Sequence, residues 1–151
     1  SEPLSWNRLS LAPLWLKGKF LKLIRREQEH ARTGREAGIK AKMNSLSDPE
    51  IIATLYEASA AGVKIDLVVR GICCLKTGIP GVSENITVRS IVGNFLEHSR
   101  IYCFNNDGHP EVYLASADWM PRNLDRRVEI LFPVDDETLR ERVREILDLE
   151  L

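Results

Sequence analysis

Between Ile39 and Val69 the chain carries a strand, a helix and a second strand at a spacing that leaves few folds open. Ile39, Ala41 and Met43 are apolar at every second position, with Lys40 and Lys42 between them and Asn44 after them, which is the period of a half-buried strand. Asp48 and Pro49 have the form of a helix cap and first helical residue. Ile51, Ile52, Leu55, Tyr56 and Ala58 share one face, and Gly62 closes the helix. Val63 to Val69 then reads as a buried strand. Two strands joined through a helix of this length return parallel, by a right-handed crossover. The expectation is therefore an α/β fold, and open α/β sheets collect ligands outside the carboxyl ends of their strands. Those ends carry Lys42 and Asn44 on the first strand and Arg70 on the second.

The flanks add further elements. Leu9 to Leu14 predicts a short strand. From Lys17, the residues Phe20, Leu21, Leu23, Ile24 and Ala31 form the apolar stripe of a helix that Gly34 is placed to stop. The loop from Gly71 to Asn85 is rich in Gly and Pro, and its backbone can turn tightly and offer N–H groups to an anion. Ile86 to Ser90 predicts a strand, Ile91 to Leu96 a helical turn, and Val128 to Pro133 the last strand. Asp135 or Asp136 can cap a final helix carrying Leu139, Val143, Ile146 and Leu147.

Arg100 to Phe104 and Glu111 to Ala117 alternate as strands, with the turn residues Asn105, Asn106, Asp107 and Gly108 between them. A turn centred near Asp107 would set Ser116 opposite His98, with Arg100 on the same sheet face as His98. An imidazole, a guanidinium and a hydroxyl that converge in this way suit a phosphoryl group. His98-x-Arg100 followed by Ser116-x-Asp118 resembles half of the phospholipase D signature, with Arg100 in place of Lys, Ala115 in place of Gly and Asp118 in place of Asn. Beyond Asp118, the residues Arg122, Arg126 and Arg127 could track phosphates or pair with Asp125 and Glu129.

With 151 residues, 44% of them apolar, the chain is long enough for one domain with a real core, spanning residues 1–151. Its net charge of -1 conceals an asymmetry. Through Lys42 there are ten Lys or Arg against four Asp or Glu, while Val134 to Leu151 has three against seven. A basic half suits anionic ligands. Three cysteines, two of them adjacent at Cys73 and Cys74, make no disulfide framework, and no spacing suggests a metal site. A reducing cytoplasm fits, and Cys73 and Cys74 read as packed thiols. No apolar run approaches the roughly 20 residues of a membrane-spanning helix. The start at Ser1-Glu2, without methionine, suggests a segment of a longer protein.

Six segments in order give the chain a specific resemblance. They are Lys42-Met-Asn-Ser-Leu46, Asp48-Pro-Glu-Ile-Ile52, Val69-Arg-Gly-Ile-Cys-Cys-Leu75, Ser83-Glu-Asn-Ile86, Phe95-Leu-Glu-His-Ser-Arg100 and Ser116-Ala-Asp-Trp-Met-Pro-Arg-Asn-Leu124. From about Leu11 to the end, the chain resembles the C-terminal phospholipase D-like domain of bacterial polyphosphate kinases, enzymes with a phosphohistidine intermediate. The resemblance implies a mixed sheet with a parallel βαβ unit and an antiparallel hairpin, and helices packed on the sheet faces. It implies reversible transfer of the terminal phosphate of ATP to polyphosphate, with Mg2+ held by ligands outside this chain. The histidine that becomes phosphorylated would belong to the preceding half, so the chain alone is expected to be inactive.

Arg70 and His98 match positions that contact ATP phosphates in the family, and His98 is the expected catalytic residue. Lys42, Asn44, Arg100, Ser116, Asp118 and Arg122 are the expected pocket neighbours, and no metal ligand is assigned. The implied partners are ATP or ADP, inorganic polyphosphate and the remainder of a parent kinase. A homo-oligomer and association with the membrane are left open, and no nucleic acid is expected. The alternatives are half of a phospholipase D-type phosphodiesterase or nuclease site, and a non-catalytic polyanion-binding module.

Overall fold

Seven strands make one mixed sheet in the computed structural model, which describes residues 10–11, 16–90, 100–121, 124 and 130–151. In chain order they are β1 (Ser10–Leu11), β2 (Gly38–Met43), β3 (Lys64–Val69), β4 (Ile86–Arg89), β5 (Arg100–Phe104), β6 (Glu111–Ala115) and β7 (Ile130–Pro133). The helices named here are α1 (Leu16–Arg32), α2 (Pro49–Ala60) and α3 (Glu137–Glu150). Across the sheet the order is β1-β7-β6-β5-β2-β3-β4. Strands β2, β3 and β4 run parallel, and β5 lies antiparallel on the other side of β2. The fold is thus the expected α/β arrangement, with the parallel unit β2-α2-β3 and the hairpin β5-β6 in one sheet.

Side-chain parity divides the core. Ile39, Ala41 and Met43 of β2, Ile65, Leu67 and Val69 of β3, and Tyr102 and Phe104 of β5 pack with α1 and α2. Ile101, Cys103 and Val112 face the other way, against Val134 and against Val143 and Leu147 of α3. On α1, the spacing of Leu16, Phe20, Leu23, Ile24 and Glu27 turns one stripe to the sheet, and all five are buried. Phe20 lies edge-on to Trp119 at 5.5 Å, and Tyr102 stacks on the same indole at 4.8 Å. Burying a side chain such as Phe20 contributes about 1.5–3 kcal/mol, and each favourable ring pair adds about 0.5–1.5.

Capping starts α2 where the sequence predicts. Asp48 Oδ1 accepts from the backbone N–H groups of Glu50 and Ile51 at 3.0 Å each, and Lys17 Nζ lies 3.2 Å from Oδ2. The final helix is capped by Asp136, whose carboxylate accepts from Leu139 N at 2.9 Å. Leu139 is 52% exposed, not on the apolar face as expected. It stands in the first turn, and the buried stripe begins one turn later at Val143. Of the predicted Leu9 to Leu14 strand, residues 10–11 are seen, and residues 9 and 12–14 lie outside the described residues, as does the predicted turn Ile91 to Leu96.

The hairpin departs from expectation by one residue. Arg100 pairs with Ala115 and Phe104 with Glu111, so the turn centres between Asp107 and Gly108. The cause is local: Asn106, Asp107 and Gly108 all take positive φ, at 50°, 55° and 78°. Three consecutive left-handed residues make a longer reversal than a turn centred on Asp107, and Gly108 adopts that conformation without steric cost. Because side chains alternate, a one-residue shift exchanges the faces.

What holds the hairpin tip is a carboxylate. Glu27, fully buried on α1, accepts from Gly38 N at 3.2 Å and from Asn106 N at 3.0 Å, joining the start of β2 to the turn after β5. Arg26 bridges Glu27 to Glu111, which also accepts from the Tyr113 hydroxyl. Glu27→Ala would strand two backbone donors and leave Arg26 with Glu111 alone. It should lower stability by about 3 kcal/mol, read from urea denaturation midpoints at constant slope. An unchanged midpoint would show that Glu27 does not hold the tip.

Candidate functional site

Parallel pairing sets Met43 beside Val69, antiparallel pairing sets Lys42 beside Ile101, and Arg100 faces Ala115. The carboxyl ends of β2, β3 and β6 and the amino end of β5 therefore coincide at one end of the sheet. Asn44, Arg70 and Ser116 directly follow β2, β3 and β6, and Arg100 begins β5.

The best-defined contact there belongs to Asp118. Arg100 donates to it through Nε at 3.1 Å and Nη2 at 3.3 Å, a two-pronged guanidinium–carboxylate pair. The same carboxylate accepts from the backbone N–H of Asn44 at 2.7 Å. One buried anion thus ties the exit of β2, the entry of β5 and the segment after β6. Beneath it, Tyr102 donates its hydroxyl to Ala117 O at 2.7 Å. Burial holds the Tyr102 phenol well above its ordinary range, the Asp118 charge adds to this and Arg100 opposes it, so the ring stays a neutral donor.

The connecting segments are stitched to one another. Leu46 forms parallel bridges to both Cys73 and Trp119. Leu46 N donates to Ile72 O, Cys74 N donates to Leu46 O, and Ser47 N and Asp48 N both donate to Trp119 O, at 2.8 to 3.0 Å. Three of the segments that carry the sequence resemblance, 42–46, 69–75 and 116–124, thus meet in space. Gly71 N donates to Asn44 O at 2.7 Å, and a Cβ at position 71 would come within 2.9 Å of that oxygen. Only glycine permits the approach, so the residue after Arg70 is pinned to the end of β2.

Of the expected site residues, Arg100 and Asp118 touch, and Asn44 joins them through its backbone. Arg70 is exposed one strand away, with its own N–H donating to Met43 O at 3.1 Å. Ser116 is exposed, and the register puts Ala115 rather than the expected Leu114 across from Arg100, so Ser116 does not share the face of Arg100. Lys42 pairs with Ile101 and so belongs to the sheet face opposite Arg100, where it is 4% exposed. His98 and Arg122 lie outside the described residues. The roles of Leu46 and Trp119 are not apparent from their residue types. The one signal for Gly71 is a glycine set directly after a strand-end arginine.

The sequence predicts packed thiols at Cys73 and Cys74, and Cys74 departs from this. Cys103 is buried, Cys73 is half-buried and Cys74 is exposed. Burial pushes the Cys103 thiol up to about 12. Burial also raises Cys73, although its thiol contact with Leu75 O partly opposes this.

Comparison with known proteins follows the same lines. Residues 9–151 match the family model described as polyphosphate kinase C-terminal domain 2. The chain is 58% identical over 151 residues to a polyphosphate kinase of Parasynechococcus marenigrum, covering 100% of this chain and 21% of that protein. It is similar to the crystal structure of a polyphosphate kinase from Porphyromonas gingivalis, with a TM-score of 0.91 and 46% identity over 99% of this chain and 23% of that one. Nuc from Salmonella typhimurium, a phospholipase D family member, shares the fold at a TM-score of 0.66 and 16% identity, over 93% of this chain and 90% of that one. The chain spans about a fifth of the length of the curated relatives it matches.

Two outcomes are expected. Asp118→Ala should cost about 3 kcal/mol in denaturant unfolding, because a guanidinium and the Asn44 N–H both lose their acceptor, and Asp118→Asn should cost less because it keeps one oxygen. Equal losses would show that the retained oxygen contributes nothing without the charge, and an Asn variant as stable as the wild type would show that the charge is irrelevant. Alkylation of the native chain at pH 8, followed by peptide mapping, should label Cys74 first and spare Cys103, whose ionised fraction there is on the order of 10⁻⁴. Early labelling of Cys103 would show that the α3 face opens.

Proposed function

The chain belongs to the polyphosphate kinase family as its C-terminal domain 2, and on that premise we propose that it forms half of the site at which the terminal phosphoryl group of ATP passes reversibly to polyphosphate. A histidine outside this chain attacks the terminal phosphorus, and the bond to the ADP oxygen breaks. In the second step a terminal polyphosphate oxygen displaces the imidazole. This chain supplies groups that neutralise charge on the transferring phosphate, chiefly Arg70, while His98 acts as a phosphate ligand and proton donor or acceptor.

The observation that carries the proposal is the placement of Arg70. It is exposed at the carboxyl end of β3, and its backbone is fixed on both sides, by its own N–H on Met43 O and by Gly71 on Asn44 O. A guanidinium on a rigid strand end can present its planar fork to non-bridging oxygens without reorganising as charge shifts. Asp118 neutralises Arg100, so that guanidinium serves mainly to hold the strand ends together.

Mg2+ accompanies the reaction in this scheme, with its ligands in the rest of the enzyme. Among the described residues no three His, Cys, Asp or Glu side chains converge, and no step of this chain runs through the ion.

In the complete enzyme, Arg70→Ala should slow transfer about 10²- to 10³-fold, and Arg70→Lys should recover part of the rate. His98→Ala should slow turnover while acid-labile phosphoenzyme remains trappable, and the 151-residue chain alone should form neither phosphoenzyme nor polyphosphate. Near-normal turnover of both alanine enzymes, with folding intact, would overturn the proposal.

A further inference from the structure

On the α3 side of the sheet, a groove of about 210 Å³ lies between helix α3 and the amino ends of β2 and β3. It is lined by Lys40, Lys64, Asp66, Cys103 and Arg144, among others. The register brings these together. Gly38 is opposite Lys64, Lys40 is opposite both Asp66 and Cys103, and parity sends Lys40, Lys64, Asp66 and Cys103 to one face. Arg144 reaches the groove from α3.

The charges do not balance. Lys40 is held by Asp148 at 2.8 Å, and Asp66 is engaged by the Thr87 hydroxyl at 2.6 Å. Among the described residues, neither Lys64 nor Arg144 has a carboxylate in ion-pair reach. Lys40, Lys64 and Arg144 thus stand against Asp148, paired with Lys40, and Asp66, whose charge the neutral Thr87 hydroxyl leaves in place, so a half-enclosed groove keeps an excess of one positive charge. Cys103 adds no repulsion, since its thiol, pushed up to about 12 by burial, stays neutral.

We propose that Lys64 and Arg144 form a second anion site for a phosphoanhydride chain, separate from the Arg70 end of the sheet. Lys64 begins β3 and Arg70 follows it, six residues further along, so the two sites are about 20 Å apart at ~3.3 Å per residue. The ammonium is a point charge and the guanidinium a planar fork, a pair suited to successive phosphoryl groups of a linear polyanion. The groove is too small for a folded partner. The choice of ligand rests on the proposed polyphosphate function. Inorganic polyphosphate and the triphosphate of ATP share the required chemistry.

The test measures binding of long-chain polyphosphate and, separately, of ATP to the chain at low salt by calorimetry, with thermal unfolding to verify that each variant folds. Lys64→Ala with Arg144→Ala should weaken binding about fivefold to tenfold, and Lys64→Arg with Arg144→Lys should retain it. Asp148→Asn, which releases Lys40, should tighten it. Loss in the polyphosphate arm assigns the site to the inorganic chain, and loss in the ATP arm alone assigns it to a nucleotide triphosphate. If the double alanine variant binds both ligands as the wild type does while Arg70→Ala loses polyphosphate, the second site is overturned and the proposed function stands. If the wild type binds neither ligand, both fall.

Discussion

A single carboxylate, Asp118, governs how the strand ends meet. It is 4% exposed, and within its reach are a backbone N–H leaving β2 and a guanidinium entering β5. A buried anion without partners would cost several kcal/mol, so these donors and the carboxylate are mutually obligatory. Asp118 thereby couples the parallel half of the sheet, which begins at β2, to the antiparallel half, which begins at β5. The aromatic stack of Tyr102 on Trp119 lies directly below, and its alignment depends on the same junction.

From that junction the rest of the site follows by short links. Trp119 O receives Ser47 N and Asp48 N, so the start of α2 is set by the segment after β6. Asp48 then caps α2 and meets Lys17 from α1. Leu46 carries the alignment on to Cys73 and the loop beyond Arg70. Arg70 therefore stands on a base assembled from four separate stretches of chain, although it is itself exposed. Such a base is what an electrostatic role requires, since a charge that must reorganise gives little advantage in a transition state.

Much of this was legible from residue order, and what was not has a physical cause. The strand-helix-strand unit was plain because alternation at Ile39 to Met43, the Asp48-Pro49 cap and the apolar run to Val69 all agree. That Asn44, Arg70, Arg100 and Ser116 share one end of the sheet was implied by the family resemblance, and the pairing of β5 with β2 places them there. The hairpin register did not follow, because three successive left-handed residues lengthen the turn and no local pattern announces the count. From that one-residue shift comes the placement of Ser116 off the face of Arg100. Lys42 falls on the opposite face because strand alternation separates it from Arg100. The exposure of Cys74 and Leu139 depends on what lies above each, which sequence does not encode locally.

The pairing of β1 with β7 has a consequence for how the fold is reached. Ser10 meets Leu131 and Leu11 meets Ile130, so the first strand of the sheet finds its partner only in the last. Closing so long a loop costs entropy before any contact rewards it, and strands joined this way form late. On the ribosome, β2, α2 and β3 can assemble as soon as they emerge, whereas the outer edge of the sheet waits for β7. The central unit can thus be in place well before the sheet is complete, and synthesis that stops short of β7 would leave β1 without its partner.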